Sequence, residues 1–541
     1  MRLDQREREA LQSVAESLVK PGSLVAVCGY GSKVAGYARP DSDYDLIVVA
    51  KRFGPGVQYK YVGEPVEASA LIVDEDLLAD DARTSYLGEF VVGRLLNVYE
   101  PVLNGDLFRR AEVEYKRRII VEALFELSSD YGDFAGHITI PYDYFLFDKL
   151  KKRAAIYPPA LYSYVKTYGS SMGAENRAAS VDGFREAAAS LAPRGFMDAS
   201  GAGVRIFPDK MKGDAFTKAL SLFSLTARGV TQYAIHGYAG RVGLGVVRKE
   251  AVSKLKRMRE RPEPPAELER PRSLLSLDEG AFVVDGSRMS ERLAELAGIE
   301  KYTVRDRELG EPYSTTRRVT ISGEGKEVSF VVKNFSDVRS LKWALLGVWA
   351  VAARKFNMTP LARLEREYQS TISLRGKEVK VPTIVAVAPD ERIMAKEFIE
   401  GPPLSSVIDG LLKGRAGSAE SVAAYGELLA KVHGAGFALG DAKASNVVVA
   451  DGGLYLTDLE QAHQGGDKPW DIAEFLYYTA KLSTREKGMR EVATAFLKGY
   501  VSEGERGTVA KASSSKYLGP FRPFLTPGMT KMLRELMSAY T

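Results

Sequence analysis

The chain has 541 residues, too many for a single domain, so two or three are expected. Hydrophobic residues make up 45% and charged residues 27%, the composition of an ordinary soluble globular chain. Lys and Arg number 75 against 70 Asp and Glu, and this net +5 permits a nucleic-acid partner without arguing for one. No apolar run is long enough to span a bilayer, which excludes an integral membrane protein of the helical kind. The opening MRLDQREREALQSVAESL is charged and amphipathic, unlike a secretory signal. Cys28 is the single cysteine, so no intrachain disulfide and no thiol-metal chemistry is expected. These points indicate a cytoplasmic protein. Scarce Cys, His and Asn beside plentiful Arg, Glu, Tyr and Val fit a hyperthermophile.

In chain order, residues 4–19 read as an amphipathic helix ending near Pro21-Gly22. SLVAVCGYG, YDLIVVA and PVEASALIVD read as three strands, and their alternation with helices indicates an α/β sheet. From Asp106 to about Leu127 the pattern turns helical, and the aromatic, basic stretch that follows to about Arg259 reads mostly as helices. Within it, ASGAGVRIFPDKM suits a hairpin. RMRERPEPPAELERPRS is charged and rich in proline, as stiff, solvated linkers are. VTISGEGKEVSFVVKNF then reads as a hairpin turning at Gly323-Glu324-Gly325, LARLEREYQSTI as a helix, IMAKEFIEG as extended, and NVVVADGGLYLTD as a second hairpin among helices.

GYGSKVAGYARPDSDYDL carries the first chemical constellation. Gly31-Ser32 ends a strand and opens a helix, where a glycine lets backbone approach a phosphate and the helix N-terminus offers unpaired N–H groups. Asp43 and Asp45 are two apart on an extended segment, so both carboxylates face one side. Two such carboxylates suit Mg²⁺ ions that activate a hydroxyl and stabilise a leaving pyrophosphate. Glu67, on a neighbouring strand, is the candidate third carboxylate. Over its first hundred residues the chain resembles the DNA polymerase β nucleotidyltransferase superfamily through Gly31, Ser32, Asp43, Asp45 and Glu67. The resemblance implies transfer of a nucleoside monophosphate to an acceptor that the motif leaves open.

The second constellation is HGAGFALGDAKASNVVVADGGLYLTDLEQ. Asp441, Lys443 and Asn446 stand in D-x-K-x-x-N order, and a hairpin returns Asp458 towards them. In phosphoryl transfer a carboxylate orients the acceptor hydroxyl, a lysine neutralises the γ-phosphate, and an asparagine and an aspartate hold metal. Alternation along VSFVVK sets Lys333 with Val331 and Ser329, opposite Phe330 and Val332. Glu367 is its expected helical partner, with Glu365 as second choice. MAKEFIEGP resembles a kinase hinge, which implies that backbone at Glu397, Phe398 and Ile399 would meet adenine, and Asp471 stands where kinases keep a buried aspartate that braces the catalytic loop.

From about Val304 to Lys498 these motifs resemble the kinase superfamily, nearest its compact atypical members such as the RIO kinases, the KEOPS-complex kinase and lipopolysaccharide-type kinases. Three departures stand out. LGEPYSTTRR replaces the glycine-rich loop, so the N–H groups of Ser314, Thr315 and Thr316 are candidates for covering phosphates. Leu439-Gly440 precede the aspartate in place of His-Arg, and Leu459-Glu460 follow the metal aspartate in place of Phe-Gly. Lys396, just before the hinge, is expected to crowd the adenine. Lys443 favours a protein Ser/Thr acceptor over a small molecule.

HGYAGRVGLGVV lacks the strand-then-helix context of a phosphate loop and reads as a turn, with His236 packed. The stretch YDYFLFDKLKKRAAIYPPALYSYVKTY suits either RNA gripped by charge and stacking or a solvated basic helix face. The expectation is an α/β multidomain chain, archaeal in origin. A nucleotidyltransferase sheet domain covers 1–105, a mostly helical middle region 106–259, a linker 260–273, and a two-lobed protein-kinase-like α+β domain 274–541 with its N-lobe ending near 397. Both end domains would use Mg²⁺ or Mn²⁺ and ATP or another nucleoside triphosphate. The acceptor, whether protein, RNA or small molecule, is open. The alternative is an RNA-processing nucleotidyltransferase whose kinase-like domain only binds nucleotide or regulates.

Overall fold

Asp4 starts the first helix, α1 (Gln5–Leu18): its carboxylate accepts the Glu7 N–H while Glu7 accepts the Asp4 N–H. This capping box satisfies two otherwise orphaned donors and contributes about 1 kcal/mol. Leu11, Val14 and Ala15 of α1 are buried against Val27, Leu46, Val48, Ala70 and Ile72. In the computed structural model, residues 3–54, 56–211, 263–309, 315–335, 359–414, 418–483 and 485–541 are described. The helices expected between 212 and 259, HGYAGRVGLGVV with His236, and Ser314 lie outside them. The chain is a mixed α/β protein that divides into two compact units, Met1–Val283 and Val284–Thr541.

The first unit is built on a five-stranded sheet of order β3-β4-β2-β1-β5. Its strands are β1 (Leu24–Tyr30), β2 (Tyr44–Ala50), β3 (Val57–Val62), β4 (Ala68–Asp74) and β5 (Glu100–Leu103). β2 and β4 are parallel and the other pairs antiparallel. β2 and β4 are apolar along almost their whole length because both faces are covered. β3 and β5 lie at the edges and are half-exposed, so they lack the apolar run that marks the central strands. The short α2 (Gly31–Ala35) joins β1 to β2, and α3 (Glu75–Thr84) follows β4.

The helical region after residue 105 belongs to this same unit, where the sequence suggested a separate one. α4 (Gly105–Tyr131) packs on β1 and α3 on one side and on a later helix, α7, on the other. It buries Phe108, Tyr115, Ile120, Leu124 and Leu127. α5 (Tyr142–Ile156), α6 (Pro159–Gly169) and α7 (Gly173–Leu191) complete the layer. Charge also ties it to the loop after α3: Glu89 pairs with Arg118, Lys149 and Arg153 at 2.6–3.0 Å. Three cations outweigh the burial that would otherwise protonate Glu89, and its pKa is lowered. A small antiparallel sheet runs through β6 (Ile138–Ile140), the expected hairpin β7 (Met197–Ser200) and β8 (Gly203–Ile206), and β9 (Ser276–Leu277) with β10 (Phe282–Val283). The described part of the expected linker, residues 263–273, is docked rather than solvated. Its one-turn helix Ala266–Glu269 buries Leu268, Arg272 pairs with Asp130, and Glu267 with Arg177. Leu268 and Pro271 supply apolar anchors that outweigh the prolines and charges.

The second unit opens with a helix, Met289–Ala297, on an antiparallel sheet in the order β11-β12-β13-β15-β14. Its strands are β11 (Thr303–Glu308), β12 (Thr316–Gly323), β13 (Lys326–Asn334), β14 (Ile384–Ala388) and β15 (Ile393–Glu397). β12 and β13 form the expected hairpin. Gly323 faces Lys326, and Glu324 and Gly325 both take positive φ (53° and 76°), the tight turn that matches strand twist. Met289, Leu293, Phe330 and Ala395 share a core on one face of this sheet. The helix Pro360–Arg375 is capped by Thr359, whose side chain accepts from Ala362 N. A mostly helical second part follows, with Ala419–Gly434, Lys468–Lys481 and Glu486–Glu503 around a core of Tyr425, Leu429, Phe475, Leu476 and Phe496. The second expected hairpin is β17 (Val447–Ala450) with β18 (Gly453–Leu456), after the two-residue β16 (Phe437–Ala438). The described residues contain no helix long and apolar enough to cross a membrane.

Candidate functional site

In the first unit β1 delivers Gly31 and β2 delivers Asp45, which lies opposite Tyr30 on one side and Ser69 on the other. Gly31 has φ +78°, and a Cβ there would fall onto the Asp45 carboxylate, 2.9 Å from its Cγ. Only glycine meets both demands. Ser32 is the next residue in the single-turn helix, whose carbonyl accepts the Tyr37 N–H. Asp43 precedes β2, and its Oδ2 accepts the Ser69 hydroxyl. Glu67 precedes β4 and is exposed; its backbone carbonyl accepts Tyr44 N–H at 2.9 Å and its side chain bonds the Tyr61 hydroxyl. Asp43, Asp45 and Glu67 thus occupy one end of the sheet. Among the described residues, the group of three whose carboxylate oxygens all lie within 4.8 Å of one another is elsewhere, at Glu367, Asp458 and Glu460. Sequence reasoning missed Ser69, and also Arg94, whose Nε donates to Tyr30 Oη at 3.3 Å and whose guanidinium lies over the Tyr30 ring. Neither carries a motif.

In the second unit Lys333 lies where alternation sets it. Its Nζ reaches Glu367 Oε2 at 2.8 Å, Asp458 Oδ1 at 2.9 Å and Glu460 Oε2 at 3.1 Å. Glu367 is fully buried in the helix Pro360–Arg375 and is the partner of Lys333, ahead of Glu365. Burial works against the Lys333 ammonium, but Asp458, Glu367 and Glu460 outweigh it and its pKa is raised well above the ordinary value. Burial likewise opposes the Asp458 carboxylate, yet Lys333 holds its pKa below the usual range. Lys396 does not crowd a base as expected. It is 3% exposed, and its Nζ donates to Glu367 Oε1 and to the Thr457 carbonyl, because β15 turns it towards the helix. Glu460, read as a departure from Phe-Gly, is a third carboxylate of the cluster.

The segment around Asp441 is held by the helix Lys468–Lys481. Asp471 accepts Leu439 N–H at 2.6 Å and Gly440 N–H at 2.8 Å, and His433 lies 3.1 Å away. Glu474 accepts Ala442 N–H at 2.9 Å. These bonds fix the backbone on both sides of Asp441, whose carboxylate is paired with Lys443 at 2.7 Å. Burial opposes the Lys443 charge, Asp441 outweighs it, and the lysine pKa is raised. Asn446 Nδ2 donates to the Asp441 carbonyl at 3.1 Å, which leaves its amide oxygen as the acceptor end. At the hinge, Glu397 N–H is spent on the Thr383 carbonyl at 2.8 Å, so that amide does not serve a base as expected. The Arg318 guanidinium stacks 4.0 Å from the Phe398 ring centroid, and Ile399 follows it. A groove of about 540 Å³ there is lined by Arg318, Ser329, Thr383, Glu397, Phe398 and Glu400.

No family model matches the sequence, and no curated protein does. Among solved structures, WaaP in complex with acyl carrier protein is similar at a TM-score of 0.28 and 12% identity, over 47% of this chain and 98% of that one. A likeness of this size carries no argument about the fold or chemistry of either unit.

Proposed function

We propose that the chain carries two phosphate-transfer sites. The second unit is an atypical kinase that moves the γ-phosphoryl group of ATP to a hydroxyl, with a protein Ser/Thr side chain as the preferred acceptor class. The first is a nucleotidyltransferase that moves a nucleoside monophosphate. The observation that carries the kinase reading is the contact of the buried Lys333 ammonium with both Glu367 and Asp458, beside a loop braced by Asp471. Asp458 and the Asn446 amide oxygen are the hard oxygen donors that Mg²⁺ or Mn²⁺ prefers, and they fit such an ion. When bound, the ion would neutralise the β- and γ-phosphates. Asp441 accepts the acceptor's proton as its oxygen bonds to the γ-phosphorus and the β–γ bridging bond breaks, leaving ADP. Lys443 and Lys333 balance phosphate charge.

For the first unit the support is Gly31 against Asp45 with Asp43 close by, where backbone and two carboxylates meet at one sheet end. Asp43 and Asp45 fit a divalent ion by donor chemistry; Glu67, bonded to Tyr61, would have to turn to join them. A second reading, nucleotide binding without turnover in the kinase-like unit, draws on Glu460 sharing Lys333 with Asp458. Titration calorimetry with Mg-ATP tests both sites. The proposal expects two equivalents per chain, one lost in K333M and the other in the double variant D43A/D45A. No binding in the intact chain would refute it.

A further inference from the structure

Two lysines converge on Glu367. Lys333 takes Oε2 at 2.8 Å, and Lys396 takes Oε1. Lys396 also donates to the Thr457 carbonyl at 2.6 Å, one residue before Asp458. Three separate pieces of chain therefore meet on one ammonium: the helix Pro360–Arg375, strand β15 and the segment that carries Asp458. Lys333, Lys396 and Arg363 face Glu367, Asp458 and Glu460, three cations against three carboxylates. Such a network is sensitive to loss of one member, because a buried carboxylate and a half-buried carbonyl would each lose a donor. Nothing in it needs a nucleotide to assemble.

We infer that Lys396 is a positioning residue that holds the Lys333–Glu367 pair and the Asp458 segment in the nucleotide-competent arrangement before any nucleotide arrives. The inference rests on the kinase reading of this site. It makes the site assembled in the free protein, with both oxygens of Glu367 held by lysines. The competent fraction of the free protein is then near one, and no affinity is lost to rearrangement.

The test uses the full chain, Mg-ATP as the probe, and the variants K396M and K396R. K396M removes the bridge; K396R keeps charge and donors. In the wild type, amide exchange over 360–375 and 457–460 is expected to be slow without nucleotide and little changed by Mg-ATP. In K396M those amides are expected to exchange fast without nucleotide and to slow on adding Mg-ATP, and the apparent Kd is expected to rise about tenfold, as for a competent state populated a tenth of the time. K396R is expected to recover most of the affinity, which a loss of packing alone would not allow. Wild-type Kd and wild-type exchange in K396M would overturn the inference while leaving the kinase reading intact. No Mg-ATP binding at this site in the wild type would instead overturn the kinase reading. If K396M does not fold, K396Q, which keeps one amide donor for the Thr457 carbonyl, is read by the same criteria.

Discussion

Asp441 concentrates the proposed transfer step on a single side chain. In the proposed mechanism its carboxylate takes the acceptor's proton, and D441N keeps its size. Removing a general base typically costs 10²–10⁴-fold. D441N is therefore expected to lower γ-phosphate transfer by about that factor while leaving Mg-ATP affinity within about threefold, measured by steady-state kinetics and calorimetry. Gly31 makes a second residue-scale demand. An alanine there must adopt φ +78° and displace Asp45, so G31A is expected to cost about 1–3 kcal/mol of stability. Thermal unfolding reads it, and an unchanged midpoint would contradict the geometry. Asp441, Asp458, Lys333 and Glu367 were legible in the sequence because their spacing is dictated by the chemistry. Lys396 and Glu460 stood in the same motifs and were read as departures. Which way a side chain turns at the end of β15 depends on what the facing helix offers, and Glu367 lies 29 residues away.

The element that matters most is the helix Lys468–Lys481, which presents Asp471 and Glu474 to the loop above it. Burial is the largest influence on Glu474 and raises its pKa well above the ordinary carboxyl value, with Asp441 adding to it and Lys443 opposing. A pKa raised on folding means that this group's contribution is fully present below the unfolded value of about 4.3 and is lost as pH rises through the folded one. E474Q keeps an oxygen for Ala442 N–H and cannot ionise. Its stability relative to the wild type is expected to grow as pH rises from about 4 to 9, read by thermal midpoints across that range. A difference independent of pH would contradict the assignment. D471A is expected to be far more damaging, by about 3–5 kcal/mol, because Leu439 and Gly440 N–H groups and His433 lose their acceptor in the core. Central strands and capped helices were legible as elements from their apolar runs and capping residues. β3 and β5 were not, because edge strands need no continuous apolar face.

For the whole molecule, the boundary that the sequence drew near residue 105 is not one. α4 is buried along its length between the sheet and α7, and Glu89 pairs with three cations from α4 and α5. Composition could not reveal this, since a basic, aromatic helix reads the same whether its face is solvated or paired. The same limit applied to residues 263–273, where prolines and charges masked the anchoring Leu268. On the proposed function the two carboxylate sites belong to different units, so the two transfers are expected to separate by mutation. The most direct measurement gives the intact chain α-labelled and γ-labelled ATP with Mg²⁺ and cell protein and RNA, beside D45A and D441A. D45A is expected to abolish transfer of the α-label alone and D441A that of the γ-label alone. Neither label moving to any acceptor in the wild type, or both labels lost together in either variant, would contradict it.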